Sequence, residues 1–269
     1  MDRRKFIQKG ALTGSFLGFG GVGHAFAKAY PKEKAALKLK SDHNFNLNYA
    51  PHIGMFKEHA GADPIDQLEF MASQGFTAFE DNEMRNRPIA QQKAMAAKME
   101  YHNMMMGVFV GHKIYWTEAN LASGKATYRE EFLTDIRKSI EVAKRMNASW
   151  ITVVPGQDMG FQTANVVEAL KQAASILEPH GIVMVLEPLN FKNHPGLFLS
   201  KSPQAYQICK AVDSPSCKIL FDIYHQQIQE GNLIPNIAQT WDEIAYFQIG
   251  DNPGRNEPTS GEINYKNIF

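Results

Sequence analysis

The segment Ile182-Val183-Met184-Val185-Leu186-Glu187-Pro188 decides which fold the sequence predicts. An apolar run of this length, rich in β-branched residues, is typical of a strand buried on both faces, as the strands of a parallel sheet are. Two later runs end in the same way, Lys218-Ile219-Leu220-Phe221 before Asp222 and Ala245-Tyr246-Phe247 before Gln248. Each of the three predicted strands therefore delivers a polar side chain at its carboxyl end.

Helical patterns separate these runs, so the repeating unit is a strand followed by a helix. The predicted strands are 45–49, 76–79, 105–110, 150–154, 182–187, 218–222 and 245–248. The predicted helices are 64–74, 88–103, 128–146, 163–180, 203–212 and 233–241. We therefore predict an α/β fold, a (β/α)8 TIM barrel whose eighth βα unit is missing from this sequence. Barrel enzymes carry their chemistry at the carboxyl ends of the strands.

The overall charge of the chain narrows the class of ligand. The 269 residues contain 28 Lys and Arg against 28 Asp and Glu, so the formal net charge is zero. Proteins dedicated to nucleic acids usually show a basic excess or a basic stripe. We therefore expect no nucleic-acid partner and a small neutral or modestly anionic substrate.

The first residues form a pattern of their own. Asp2-Arg3-Arg4-Lys5-Phe6-Ile7 is a twin-arginine pattern, a glycine-rich apolar stretch follows at 11–22, and Ala25-Phe26-Ala27 fits a cleavage signal. The apolar stretch is too short and glycine-rich for a membrane-spanning helix, so no stable membrane insertion is expected. An uncleaved amphipathic tail is the alternative. The predicted organisation is a twin-arginine signal peptide at 1–27 that exports the protein to the periplasm, a linker at 28–44 and the barrel at 45–269.

The polar residues at the strand ends suit a hard divalent cation. Glu187 and Asp222 offer two carboxylates at one rim, and the amide of Gln248 or the imidazole of His225 could add a third ligand. Mg²⁺ and Mn²⁺ prefer oxygen ligands. A glutamate that touches both metal and substrate can take a proton next to a carbonyl while the metal stabilises the resulting enediolate. His225 could grip a substrate oxygen, and Arg255 could pair with a substrate carboxylate or hydroxyl.

Each of these side chains also has a structural alternative. Glu187 could be a loop residue paired with Lys192, and Asp222 could cap the turn that follows it. His225 could be a hydrogen-bonded rim histidine, and Gln248 a satisfied buried amide. Three further residues at predicted strand ends, for which pocket lining and structural hydrogen bonding are equally compatible with the sequence, are Glu80, His52 and His112.

Three stretches carry a family resemblance. They are Leu186-Glu187-Pro188-Leu189-Asn190, Phe221-Asp222-Ile223-Tyr224-His225-Gln226, and Gln248-Ile249-Gly250-Asp251-Asn252-Pro253-Gly254-Arg255-Asn256-Glu257-Pro258 with Gly261-Glu262-Ile263-Asn264-Tyr265. They resemble the hydroxypyruvate isomerases, which belong to the sugar-phosphate isomerase/epimerase group of xylose isomerase-like TIM barrels. The resemblance is strong over 181–269 and weaker over 45–180, and the last of the three stretches is its most specific part.

The resemblance implies roles for the strand-end residues. Glu187 corresponds to a metal ligand that is also the catalytic acid and base, and Asp222 and Gln248 correspond to two further ligands of Mn²⁺ or Mg²⁺. His225 and Arg255 match substrate-contacting positions, and we add the rim residues Glu80 and His112 to the expected substrate-binding set. The fourth ligand of the family, a second catalytic glutamate at the end of strand eight, has no matching position here.

The activity implied by the resemblance is an aldose–ketose isomerisation. A small hydroxy-carbonyl compound of the hydroxypyruvate/tartronate semialdehyde type would be interconverted through an enediolate. A sugar epimerase on the same fold and a non-catalytic sugar-binding protein are the alternatives, the second favoured by the missing glutamate. The expected partner is a small hydroxy acid or sugar, and homo-oligomerisation is left open.

Overall fold

Short strands that alternate with helices make up the described part of the chain, residues 45–158, 160 and 163–269 of a computed structural model. The strands are β1 (Ala78–Phe79), β2 (Met105–Met106), β3 (Phe109–Val110), β4 (Trp150–Val153), β5 (Val183–Leu186), β6 (Cys217–Asp222) and β7 (Ile244–Gln248). The predicted signal peptide at 1–27 and linker at 28–44 lie outside the described residues.

The helices confirm most of the predicted pattern. They are α1 (Lys57–Ala60), α2 (Pro64–Ser73), α3 (Ile89–His102), α4 (Ala126–Met146), α5 (Thr163–Leu177), α6 (Ser202–Val212), α7 (Ile223–Gln229), α8 (Leu233–Thr240) and α9 (Tyr265–Ile268). All six predicted helices are present, as α2 to α6 and α8, with ends shifted by a few residues. The short helices α1, α7 and α9 were not predicted. None of the described helices combines the length and apolarity that a bilayer crossing requires.

The strands pair in parallel throughout and follow the chain order. One sheet contains β1 and β2, and the other runs β3-β4-β5-β6-β7. In a flat sheet β4 and β7 would lie roughly 14 Å apart, three strand spacings. The rings of Trp150 on β4 and Tyr246 on β7 instead have centroids 5.6 Å apart. The sheet is therefore strongly curled, as the wall of a TIM barrel is.

Alternating side chains divide the core into two layers. Inside the curl, Val108, Val185 and Leu220 form a small buried cluster. The intervening residues, such as Ile151 on β4 and Ile219 on β6, face outward and join the larger core under the helices. Since the strand period is two, the polar residues at the strand ends follow the same alternation. Glu187 continues the inward set of β5, and Asp222 that of β6.

The predicted strand at 45–49 is wrong. This segment is irregular, with Phe45 42% and Leu47 51% exposed. The parallel pairing with the end of β1 begins later, where His52 bridges Glu80 and the Ile53 N–H donates to the Glu80 carbonyl at 2.9 Å. The alternating apolar residues of 45–49 resemble those of a strand. The Phe45 ring, however, stacks on Phe76 with centroids 4.9 Å apart and does not face a barrel interior.

The predicted strand at 105–110 forms two short strands, β2 and β3, separated by Gly107 and Val108. The Gly107 N–H still donates to the Phe79 carbonyl at 2.8 Å, so backbone pairing with the β1 segment continues past β2. β2 pairs with β1, and β3 pairs with β4. A Cβ atom at Gly107 would overlap the Tyr246 hydroxyl and come within 3.0 Å of Cγ of Glu80. The glycine therefore makes room for two side chains that cross the barrel mouth at this point.

We expect Gly107→Ala to destabilise the protein by about 1–3 kcal/mol, the usual cost of overpacking a filled interior. In a Tyr246→Phe background the same change should cost clearly less, because the overlapping hydroxyl is gone. Urea unfolding of the four proteins in this cycle measures both costs. An equal cost in the two backgrounds would instead assign the overpacking to Cγ of Glu80, which both backgrounds retain.

Candidate metal and substrate site

Three side chains that follow β5 and β6 meet at the mouth of the barrel. Ligand atoms of Glu187, Asp222 and His225 all lie within 4.8 Å of one another. Glu187 is the first residue after β5, Asp222 ends β6, and His225 lies one turn later in α7. The structure thus brings together three of the residues that the sequence predicted for one site.

Asp222 has both a structural and an electrostatic role. It is 1% exposed and forms the N-cap of α7, where its Oδ1 accepts the His225 N–H at 3.1 Å. Its Oδ2 accepts a hydrogen bond from Nη2 of Arg255 at 2.5 Å. The capping alternative raised by the sequence is therefore correct, and it coexists with a second oxygen that faces charged neighbours.

The Glu187 carboxyl group has no hydrogen-bond or ion-pair partner among the described residues. The alternative pairing with Lys192 is therefore not formed. Burial, and after it the negative charge of Asp222, raise the pKa of Glu187 to about 8 against the opposing effect of Arg255. A carboxyl group in this environment favours the binding of either a proton or a cation.

Gln248 lies next to Asp222 across the β6–β7 ladder, where the two residues are register partners. Its amide Nε2 donates to Oε2 of Glu80 at 2.8 Å, and the Tyr246 hydroxyl donates to Oε1 at 2.7 Å. Burial raises the pKa of Glu80 to about 7, although these two donors lower it. Because its nitrogen faces Glu80, the amide oxygen is the atom of Gln248 that could bind a metal.

His225 is buried and electrically neutral at ordinary pH. Its ring is 1% exposed, and burial lowers its pKa to about 4 against the opposing effect of Asp222. Nε2 lies 3.9 Å from Oδ2 of Asp222 and has no hydrogen-bond partner among the described residues. A buried nitrogen of this kind is a candidate contact for a ligand oxygen.

Arg255 is held in place by the loop that carries it. Asp251, which is fully buried, accepts hydrogen bonds from the N–H groups of Asn252 at 2.9 Å, Thr259 at 2.8 Å and Ile263 at 3.0 Å. Burial raises the pKa of Asp251, but the backbone donors outweigh it and hold the pKa below its usual value. The guanidinium group of Arg255 lies over the Tyr224 ring at 5.4 Å and reaches Asp222.

Two predicted rim histidines have structural contacts outside this cluster. Nε2 of His112 accepts the Val154 N–H at 3.1 Å, and its ring packs edge-on against Phe132 of α4. Nε2 of His52 accepts the Asn82 N–H at 3.1 Å. His112, which we expected to bind substrate, is thus 2% exposed and packed between β4 and α4.

The donor set fits a hard divalent cation. Two carboxylates and an amide oxygen come from adjacent parallel strands, and Glu187 lacks a protein partner for its charge. Oxygen ligands with open positions are what Mg²⁺ and Mn²⁺ accept. The residues that would hold the cation are Glu187, Asp222 and Gln248.

The fold agrees with a comparison against protein families. A family model described as "Xylose isomerase-like TIM barrel" matches residues 68–269. The chain therefore belongs to the xylose isomerase-like TIM barrel family. This confirms the predicted fold class.

Individual proteins of known name are also similar to this chain. The chain is 37% identical over 145 residues to the hydroxypyruvate isomerase of Escherichia coli K12, in an alignment that covers 52% of this chain and 56% of that protein. It is 28% identical over 221 residues to the 2-oxo-tetronate isomerase of Cupriavidus necator, covering 80% of this chain and 83% of that protein. The chain thus spans little more than half of the first of these relatives.

Among solved structures, a crystal structure called AP endonuclease, family 2, from Brucella melitensis superposes with a TM-score of 0.73 at 25% identity. The superposition covers 81% of this chain and 85% of that chain.

Three residues with clear roles in the site were missed by sequence reasoning. Asn190 contacts His225, Tyr246 contacts Glu80, and Asp251 anchors the Arg255 loop. Asn190 and Asp251 lie inside the motifs quoted above, but a motif alone does not say which of its members is in contact with the others.

Proposed function

We propose that this protein is a metal-dependent isomerase of small hydroxy-carbonyl acids, of the hydroxypyruvate/tartronate semialdehyde type. The observation that carries the proposal is the unpaired carboxyl group of Glu187 beside Asp222, in a mouth where Nε2 of His225 also lacks a partner. The similarity to proteins named hydroxypyruvate isomerase and 2-oxo-tetronate isomerase supports the substrate class.

Each residue of the site has its own role in the proposed reaction. Glu187 takes the proton from the hydroxyl-bearing carbon next to the substrate carbonyl and returns it to the former carbonyl carbon, so that one carboxyl group serves both steps. The hydroxyl proton passes to the former carbonyl oxygen, which balances the isomerisation. His225 donates from Nε2 to a substrate oxygen, and Arg255 pairs with the substrate carboxylate. Mn²⁺ or Mg²⁺, held by Glu187, Asp222 and Gln248, would supply Lewis-acid polarisation of the substrate carbonyl.

Metal binding by the purified protein should strengthen with pH. Because the pKa of Glu187 is about 8, its carboxyl group holds a proton at neutral pH that a cation must displace. We expect the apparent Mn²⁺ affinity to rise by about tenfold per pH unit between about pH 6 and 8, with release of one proton. Calorimetry in buffers of different ionisation enthalpy measures both quantities. A flat profile would show that Glu187 is not the group displaced.

The raised pKa of Glu187 also makes the stability of the metal-free protein depend on pH. Stability should fall as the pH rises, whereas metal affinity rises. A carboxyl group with a raised pKa in the folded state stabilises the protein below its unfolded pKa of about 4.5. That contribution is lost as the pH rises through about 8. The melting temperature of the metal-free protein should therefore fall over this range, and Glu187→Gln should remove part of the slope.

The proposed function is tested with the protein purified from its native host. The protein is treated with chelator, reloaded with Mn²⁺ or Mg²⁺, and offered hydroxypyruvate, 2-oxo-tetronate and a panel of ketohexoses in deuterium oxide. Metal-dependent isomerisation and deuterium uptake with the acids support the proposal. Turnover of the ketohexoses alone would assign the protein to sugar epimerisation, and tight sugar binding without turnover to a binding role.

The predicted leader makes export to the periplasm part of the proposal. Its support is the arginine pair and the Ala25-Phe26-Ala27 signal in the sequence. The intact mass of the protein from the periplasmic fraction of its host tests this directly. A mature protein that begins after residue 27 supports export, whereas a full-length protein in the cytoplasmic fraction contradicts it.

A further inference from the structure

Asn190 contacts the ring nitrogen of His225, Nδ1, that is not the one nearest the Asp222 carboxylate. Asn190 is fully buried, in the loop that follows β5. Its backbone N–H donates to Nδ1 of His225 at 3.2 Å, and its Nδ2 lies 2.7 Å from the same atom. The backbone N–H and the side-chain amide nitrogen of Asn190 therefore both approach Nδ1 of His225.

The orientation of the Asn190 amide is determined by its other contacts. Its Oδ1 accepts the Asn193 N–H at 2.8 Å, so Oδ1 cannot be the atom that faces the histidine. Its Nδ2 also donates to Oδ1 of Asn193 at 2.9 Å, and the Tyr224 hydroxyl donates to that oxygen at 3.1 Å. With the Asn190 amide flipped, its nitrogen would face the Asn193 N–H, two donors, and its oxygen would face Oδ1 of Asn193, two acceptors.

The protonation of His225 follows from this arrangement. Nδ1 faces two N–H donors, so it must act as an acceptor and carries no proton. In a neutral imidazole the proton is then on Nε2. Nε2 is the nitrogen that lies 3.9 Å from Asp222 and lacks a partner among the described residues.

We propose that Asn190 is a positioning residue that holds His225 in the Nε2–H tautomer, which makes His225 a hydrogen-bond donor to a substrate oxygen and excludes it from the metal ligands. A protonated nitrogen has no lone pair for a cation, although Nε2 lies close enough to the carboxylates to be mistaken for a third ligand. The substrate role of the donated hydrogen bond rests on the proposed function, whereas the tautomer itself does not.

The tautomer is measured directly by nitrogen–proton correlation NMR on the full-length protein with ¹⁵N-labelled histidine, using His225→Gln to assign the signal. We expect an unprotonated Nδ1 and a protonated Nε2 in the wild-type protein. In Asn190→Asp a carboxylate, which only accepts, replaces the amide nitrogen at 2.7 Å, and only the longer backbone N–H contact at 3.2 Å still favours an unprotonated Nδ1. A measurable fraction of Nδ1 should therefore gain a proton. Asn267→Asp, the same change at an exposed position, should leave the signal unchanged.

Protonated Nδ1 in the wild-type protein, or unprotonated Nδ1 in folded Asn190→Asp, would overturn the inference. If Asn190→Asp does not fold, Asn190→Ala decides: a detectable Nδ1–H population supports the role of the side chain, and an unchanged tautomer refutes it. With substrate, kcat of Asn190→Asp should fall by on the order of 10²-fold or more, because a wrong tautomer removes the donor. Failure of the proposed function would abolish the kinetic readout and leave the NMR result standing.

Discussion

Glu187→Gln is expected to lower kcat for isomerisation by about 10²–10⁴-fold, the range that a positioned acid or base contributes. Glutamine keeps an oxygen that can bind the cation, but it can neither take nor return a proton. The substrate should therefore still bind, while deuterium uptake from solvent stops. Both are measured in one experiment, by following isomerisation and label incorporation in deuterium oxide with saturating Mn²⁺.

The control for this variant is Glu141→Gln on the exposed face of α4, where the glutamate pairs only with Lys144 at the surface. It should retain wild-type kinetics. Retained deuterium uptake in Glu187→Gln would remove Glu187 from the proton transfer and leave it, at most, as a metal ligand. Loss of Mn²⁺ binding in this variant would instead make the loss of turnover a consequence of the empty site, and calorimetry separates the two.

Asp222→Asn is expected to weaken Mn²⁺ binding by about 10²-fold or more, since even the outer partners of metal ligands are worth about 10–100-fold. Stability should change by only about 1 kcal/mol, because asparagine also caps helices well. The guanidinium group of Arg255 stays solvated, since its side chain is 47% exposed. Metal calorimetry and thermal unfolding together distinguish a ligand from a structural cap.

The matched control is Asp242→Asn, which changes an exposed carboxylate in a surface ion pair with Lys210. Unchanged Mn²⁺ affinity in Asp222→Asn would exclude Asp222 as a ligand. The variant has a second readout as well. The charge of Asp222 is one cause of the raised pKa of Glu187, so the pH midpoint of metal binding should move to lower pH.

The sequence predicted those parts of the fold in which the pattern is local. Buried runs such as 182–187 and 218–222 were recognised because both faces of the strand are apolar, and helices such as α4 because one face is. The segment 45–49 has the alternation of a strand, but its rings pack locally, which no periodicity reveals. The need for a glycine at position 107 depends on Tyr246, which is more than a hundred residues away in the sequence.

The site was predictable to a similar degree. Strand ends at one rim identified Glu187, Asp222 and Gln248 as a group, and the structure places them in adjacent positions. His112 was grouped with them because it also follows a predicted strand, yet its ring turns towards α4. Whether a strand-end side chain points into the site or packs elsewhere is decided by its rotamer and its hydrogen-bond partners. Both depend on contacts between segments that are distant in the sequence. Asn190 illustrates the same limit, because its effect on His225 depends on an amide orientation that only Asn193 determines.

Asp251 holds the loop after β7 in place through contacts that depend little on which side chains the loop carries. Its attachment uses main-chain N–H groups, which every residue except proline supplies, so it places few demands on the side chains of residues 256–258 and 260. Thr259 is the exception, because its φ of 79° lies in the left-handed region. Those residues are largely exposed and lie beside Arg255 at the barrel mouth. If the proposed activity is correct, directed evolution of this protein towards bulkier acids should begin by randomising residues 256–258 and 260, since the position of Arg255 should be kept while its surroundings change.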